Sequence, residues 1–381
     1  RYNDIPPITL NQQYLNVYFN DINYLKGFDA VFIHRLPQHN HKDAVAIINT
    51  IKRLGLKVII DTDDHWNLDP SHGLYHIAKI NKIPETILDC IRMADLVTVP
   101  TEILAAEVRK FNKNVVVLPN AVDPNEDQFK PKETESDMIR FGWLGGSSHI
   151  KDMEHLRDLG TKQNGLGKPT QIVLCGFDTR GNVQFVNPDT KQVETRPMRP
   201  QETTWFMYEC FLTNNYKNLE TDREYLTYLM SFIDDPNFDT KSKPYRRIWT
   251  KAINQYANGY NHFDVAMAPL NESTFNKYKS QLKVIEAGFH KKALIAQNYG
   301  PYQIDLISAI DRGGAINPNG NCLLVDPSKN HKQWSKFAKK LVDNPEMIKD
   351  LGEKLYETVK DKYDLNNVTK NRYEIYKNLM K

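Results

Sequence analysis

From Phe28 onward, short runs of β-branched residues alternate with stretches of helical periodicity, and this alternation constrains the fold more than any other feature of the chain. Residues 30–34, 57–61, 96–100 and 115–118 read as strands. Helices fit between them over residues 42–54 and 102–111, the second with Thr101 as its cap and Arg109 and Lys110 at the end that the helix dipole favours. Strands separated by helices imply a parallel sheet. Residues 123–137, with Pro124, Pro131 and many charges, lack an apolar period and read as a linker. A second strand series follows at residues 140–144, 171–175, 263–268, 293–296 and 322–325. It is interrupted between Asp178 and Tyr260 by a polar, aromatic stretch that includes Trp205, Tyr208, Tyr225 and Tyr228 and reads as an insertion plus one long helix. After Pro327, residues 334–342, 345–363 and 367–381 read as helices.

The expectation is therefore an α/β fold of two Rossmann-like, doubly wound domains facing a cleft. Residues 1–125 form the first domain and 126–365 the second, with an insertion over about 180–255; residues 366–381 form a helix that packs back on the first domain. A length of 381 residues suits two domains. A 40% hydrophobic and 25% charged composition is that of an ordinary globular protein, and a net charge of +3 is too small for a nucleic-acid coat. No stable nucleic-acid binding is expected. The four cysteines are widely spaced and lack a CxxC pair, which predicts free structural thiols in a reducing compartment. No apolar run reaches the roughly 20 residues of a membrane span and no signal peptide opens the chain, so a cytoplasmic location is predicted, with room for peripheral contact at the inner membrane face.

Three groups of residues carry chemistry. Within residues 275–302, Lys279, Lys283 and Glu286 fall one helical turn apart, while Tyr278, Leu282, Ile285 and Phe289 form an apolar stripe about a quarter turn away. Such a helix would bury one side and present two cations and a carboxylate. Lysine beside free N–H groups suits a phosphate, and glutamate suits sugar hydroxyls; a nucleotide-sugar carries both. A solvated face of spaced ion pairs would use the same residues. In the second group, the first strand of the second domain ends in Phe141-Gly-Trp-Leu-Gly-Gly-Ser-Ser-His149, followed by Lys151 and a helix from about Asp152. The backbone N–H groups of Gly145, Gly146 and Ser147 suit diphosphate oxygens. The dinucleotide fingerprint is absent, which removes support for a nicotinamide or flavin. The third group is Asp61-Thr-Asp-Asp-His65-Trp66, just past a strand end. Three carboxylates so close repel one another unless a cation, donors or solvent relieve them. Mg²⁺ or phosphoryl chemistry on Asp61 and Asp63, contact to an acceptor hydroxyl, and capping by Asp64 all fit. His34 and Arg35 end the first strand, and Asn120 stands where the first domain meets the linker.

In their order along the chain, these residues resemble the GT-B glycosyltransferases, most closely the retaining family 4. Residues 94–101, Val117-Leu-Pro-Asn120, Phe141-Gly-Trp-Leu-Gly-Gly146 and residues 263–270 carry the resemblance, together with Lys279-Ser-Gln-Leu-Lys-Val-Ile-Glu-Ala-Gly288 and Gly300-Pro-Tyr302. The resemblance implies a sugar transferase using a UDP- or GDP-sugar as co-substrate and no metal or other cofactor. It places Gly145, Gly146 and Lys151 at the donor diphosphate, Lys279 and Ser280 at the diphosphate or the transferred sugar, and Glu286 at the donor ribose, with Gly300, Pro301 and Tyr302 closing the pocket. His34, Arg35 and Asn120 then face the acceptor, a glycan or lipid-linked glycan, whose hydroxyl Asp63, Asp64 or His65 would orient. The aspartate cluster is similar to one in a bacterial and phage branch of these enzymes. Two departures stand out: Tyr278 occupies the place of the family's first glutamate, and the chain opens at Arg1 without the strand and glycine loop that begin the fold, so a leading piece is expected to be missing. Other readings are a Mg²⁺-dependent phosphoryl-transfer enzyme, a non-catalytic nucleotide- or glycan-binding module, and a transferase acting on a DNA base.

Overall fold

The computed structural model describes residues 25–70, 72, 74–132, 134–160, 166, 170–178, 180–199, 202–213, 244–311, 313–328 and 331–381. Tyr225 and Tyr228 lie outside the described residues. The chain divides into two compact units. The first takes the described residues of 1–120 together with 277–280 and 368–381, and the second takes 121–276 and 281–367.

In the first unit, β1 (Ala30–His34), β2 (Lys57–Asp61), β3 (Leu96–Val99) and β4 (Val115–Val117) form a parallel sheet in sequence order. The helices α1 (His41–Arg53), α2 (Tyr75–Ile80), α3 (Ile83–Met93) and α4 (Glu102–Val108) alternate with the strands. Asn40 starts α1 by accepting the N–H groups of Lys42 and Asp43, and Thr101 starts α4 by accepting that of Leu104 at 3.2 Å. Ile48 and Ile51 of α1, with Ile87 and Ile91 of α3, share a core with Val58, Ile60, Val97 and Val99 of the sheet. The β1–β2 register pairs His34 with Asp61, so the carboxyl ends of the two strands set these side chains next to each other.

The second unit contains β5 (Ile139–Leu144), α5 (Ile150–Met153), β6 (Thr170–Phe177), β7 (Asn182–Val186), β8 (Val193–Pro197), α6 (Thr204–Thr213) and β9 (Tyr245–Trp249). They are followed by β10 (Val265–Ala268), α7 (Thr274–Lys277), α8 (Leu282–Phe289), β11 (Ala293–Gln297), β12 (Leu323–Val325), α9 (His331–Asp343), α10 (Glu346–Val359) and α11 (Leu365–Leu379), which runs on into the first unit. Six strands pair in the order β12-β11-β10-β5-β6-β9, all parallel. Alternate residues serve opposite faces: Phe141, Trp143 and Ile295 pack with Trp334 and Phe337 of α9, whereas Ala266, Leu294 and Ala296 pack with Ile285 of α8 and Leu355 of α10. The direction of winding reverses between β5 and β10. In open sheets of this kind, ligands bind beyond the strand ends at that reversal.

Two sequence expectations are qualified by the structure. The stretch read as an insertion with one long helix contains, among the described residues, the β7–β8 hairpin, the ten-residue α6 and the sheet's own edge strand β9, which that reading lacked; residues 214–243 lie outside the described residues. The charge of Arg247 disguises β9, but in the fold it is neutralised. Arg247 Nε and Nη2 donate to the buried carboxylate of Glu209 on α6 at 2.6 and 2.8 Å, and the Tyr245 hydroxyl donates to the same group at 2.8 Å. The supposed linker is also no free tether. Gln128 and Phe129 are buried, the Lys132 N–H donates to Asn261 Oδ1 at 2.9 Å, and Thr134 Oγ1 donates to Asn261 O at 2.7 Å. The segment lacks an apolar period because hydrogen bonds rather than a repeating face hold it to the second unit.

All four cysteines are unpaired and buried, and burial pushes the thiols of Cys90, Cys175 and Cys210 up to about 12. Among the described residues, no helix is long and apolar enough to cross a membrane.

Candidate functional site

At the winding reversal of the second unit, β5 runs into Gly145 and Gly146. A Cβ on Gly145 would lie 2.4 Å from the Trp143 ring, and one on Gly176, which has φ of +101°, would lie 2.4 Å from the Gly145 carbonyl oxygen. Glycine at both places lets the β5 and β6 loops touch. Gly146 and Ser147 are exposed, and the Gly146 carbonyl accepts the Tyr208 hydroxyl at 3.3 Å. The helix expected from about Asp152 begins earlier, at Ile150, and lasts four residues before a 3-10 turn. Within it, Asp152 is buried: one carboxylate oxygen lies 2.7 Å from His149 Nδ1, and the other accepts from the N–H of Asn271 and from Asn276 Nδ2. Lys151 is exposed and pairs loosely with Glu154 at 3.7 Å.

The first turns of α8 carry two of the anticipated side chains. Lys283 Nζ donates to the Leu144 carbonyl and lies 5.1 Å from the Trp143 ring centroid. Glu286 is only 3% exposed, which corrects the expectation that it stands on a presented face. Its oxygens accept from two phenols, Oε1 from Tyr256 and Oε2 from Tyr260 at 3.0 Å. Burial raises the Glu286 pKa, opposed by the charge of Lys283 and by both tyrosine hydrogen bonds. Beyond β11, Gly300 takes φ of 56° and opens a buried 3-10 turn with Pro301 and Tyr302. Burial raises the Tyr302 phenol, and the charges of Asp152 and Glu286 raise it further.

The continuous helix expected from Tyr278 to Phe289 does not form. The α7 helix ends at Lys277 and α8 begins at Leu282, so Lys279 shares no helical face with Lys283 and Glu286, and Tyr278 joins no stripe with Leu282. Residues 277–280 belong to the first unit, where they find better partners. The Tyr278 ring stacks on His65 at 4.8 Å, its hydroxyl donates to Glu107 at 2.8 Å, and Ser280 Oγ accepts from Asn120 Nδ2 at 3.0 Å. These contacts outweigh the weak propensity of a single helical turn.

In the first unit, His34 lies between two carboxylates, with Nδ1 3.5 Å from Asp61 and Nε2 3.7 Å from Asp63. The hydrogen bond it donates to Asp61 raises its pKa above 6.5 against the cost of burial. Thr98 Oγ1 donates to the other oxygen of Asp61, and the N–H of Arg35, which has φ of 60°, donates to the Asp61 carbonyl at 2.7 Å. Burial, then the neighbouring Asp63, raises the Asp64 pKa, while Lys279 opposes the rise. The His65 ring is buried between Trp66 and Tyr278, Nδ1 accepts the N–H of Asn67 at 3.1 Å, and burial lowers its pKa. Among the described residues, no three His, Cys, Asp or Glu side chains are arranged to hold a metal ion.

The sequence missed Tyr256 and Tyr260. Their only local signal is the run Tyr256-Ala-Asn-Gly-Tyr260, and nothing in it points to a carboxylate on a different element.

No family model matches the sequence, and no curated protein matches it. Solved structures do. Anabaena HepE in complex with UDP and glucose superposes with a TM-score of 0.59 at 10% identity, over 94% of this chain and 80% of that one. A UDP-forming α,α-trehalose-phosphate synthase from Burkholderia xenovorans gives 0.57 at 11% identity, over 98% and 80%. A variant of S. aureus TarM, in complex with Fondaparinux, α-GlcNAc-glycerol and UDP, gives 0.56 at 12% identity, over 94% and 58%. These are GT-B glycosyltransferases, and the chain shares their α/β fold of two Rossmann-like domains.

Proposed function

We propose that the chain is a glycosyltransferase, similar to retaining family 4, that moves a sugar from a nucleoside-diphosphate sugar to an acceptor hydroxyl. One observation carries this reading: at the winding reversal of the second unit, one short helix sets the Lys283 ammonium against the end of β5 and the buried carboxylate of Glu286 one turn further on. A diphosphate and a pentose need that pairing of charge. Glu286 accepts the ribose hydroxyls, the N–H groups of Gly146 and Ser147 meet the diphosphate with Lys283 and Lys151, Gly145, whose own N–H donates to the Cys175 carbonyl, lets the backbone approach it, and Gly300, Pro301 and Tyr302 flank the sugar. Lys279 and Ser280 serve the diphosphate or the transferred group. Uridine is the favoured base, because the neighbours named above include complexes with UDP and a UDP-forming synthase.

As the bond from the anomeric carbon to the diphosphate lengthens, negative charge grows on the leaving phosphate, where preorganised cations and N–H groups stabilise it. That phosphate then takes the proton of the acceptor hydroxyl, which adds to the face the phosphate leaves, so configuration is retained. In the first unit, His34, Arg35, Asn120, Asp63 and Asp64 bind the acceptor, a glycan or lipid-linked glycan of polysaccharide biosynthesis.

The test is a thermal-shift screen of UDP, GDP and their sugars, followed by measurement of nucleotide released from the protecting donor. We expect a uridine donor to protect the wild type, Glu286→Ala to lose that protection, and Lys279→Ala to lower turnover by about a hundredfold. Absence of both protection and donor consumption would overturn the proposal.

A further inference from the structure

Two tyrosines grip Glu286 from a turn that the reaction itself does not use. We propose that Tyr256 and Tyr260 are positioning residues that fix this carboxylate to receive two vicinal hydroxyls, making the second unit selective for ribonucleotides over deoxyribonucleotides. The inference rests on the reading of Glu286 as the ribose acceptor.

An ionised carboxylate has about two acceptor positions on each oxygen. Tyr256 occupies one on Oε1 and Tyr260 one on Oε2, so among the described residues one position is left on each oxygen. Two free positions on adjacent oxygens match two hydroxyls on adjacent carbons, as the 2′ and 3′ positions of a ribose provide. A carboxylate with only one phenol would be free to rotate toward the Lys283 ammonium, whose charge already acts on it.

The phenols are themselves immobile. Tyr260 is 2% exposed and stacks on His290, with centroids 4.9 Å apart and planes at 22°. The His290 ring nitrogens lie 2.9 Å from the carbonyl oxygens of Glu286 and Gln128, which fixes the ring against the end of α8 and the docked segment. Tyr256 meets the edge of Phe129. Between the two, Gly259 lets their turn lie against the sheet, since a Cβ there would come within 2.7 Å of Leu144 and 3.4 Å of Cys175.

Calorimetric affinities of the full chain for UDP and GDP, each in ribo and 2′-deoxy form, provide the test, with Tyr256→Phe and Tyr260→Phe as variants. Phenylalanine keeps the packing and removes only the hydroxyl, and Tyr256, the less buried of the two, supplies a variant that folds if Tyr260→Phe does not. The wild type should prefer the ribo form by about tenfold or more, the scale of one hydrogen bond to a charged group. In the Phe variants the ratio should fall to about twofold, with deoxy affinity kept within about twofold of wild type. A loss of both affinities in proportion would mark a structural role and overturn the proposal. If the variants keep the wild-type ratio, the positioning role is wrong while the ribose reading stands. If the wild type itself does not discriminate, the ribose reading fails and the proposal with it.

Discussion

Glu286 in the second unit and the aspartates after β2 in the first are both crowded acidic sites, yet the fold treats them in opposite ways. Glu286 is buried, and each oxygen has its own phenol. Asp61, which also accepts from Thr98, shares with Asp63 one imidazole that is 57% exposed, at 3.5 and 3.7 Å, and water can screen what Asp63 lacks. A buried charge must be satisfied by fixed partners, so its geometry is preorganised; an exposed cluster can leave its geometry open until a ligand arrives. The first arrangement suits an invariant part of a substrate. The second suits a partner that brings its own hydroxyls.

The comparison can be broken most directly by overpacking. Gly259→Val places branches where a single Cβ already meets Leu144 at 2.7 Å, and should lower the unfolding free energy by about 1–3 kcal/mol in denaturant titration. Asp63→Asn, in the open cluster, should stay within about 0.5 kcal/mol of wild type. Equal losses would mean that the two sites are equally rigid.

A smaller effect sharpens the contrast through pH. The Glu286 pKa is raised on folding, so its burial costs nothing below about 4.5, where the unfolded side chain is also protonated, and the cost grows as pH rises toward the folded value. Glu286→Gln should therefore melt at a temperature equal to or above wild type at pH 8, with the gain gone at pH 4. A less stable variant at pH 8 would show that the phenols and Lys283 more than offset desolvation.

The smallest effect concerns His34. Its raised pKa means that its contribution to stability is fully present below 6.5 and is lost as pH rises through the folded value. An NMR titration should place its midpoint above 6.5 and bring it down in Asp61→Asn. An unmoved midpoint would remove Asp61 as the cause.

Much of the scaffold was legible because local signals and tertiary structure agree. Strands β1 and β2 have the bounds their β-branched runs predict, and Thr101 caps α4 as its place before Glu102 predicts. The failures have a common physical origin. Residues 278–280 read as helix because periodicity ignores partners as distant as Glu107 and Asn120. Strand β9 was hidden by an arginine whose counter-charge lies 38 residues away. Glu286 was singled out, but its surroundings were misjudged, since a helical wheel shows which residues share a face and not what covers it.

The Arg247–Glu209 pair has a further consequence. It ties β9 to α6 in the core, with guanidinium and carboxylate both withdrawn from water. Removing one partner of a buried ion pair costs about 3–5 kcal/mol, because the other charge stays behind uncompensated, whereas an apolar couple of similar volume is often tolerated. Glu209 and Arg247 must therefore change together or not at all: a single substitution at either place would loosen the edge of the sheet.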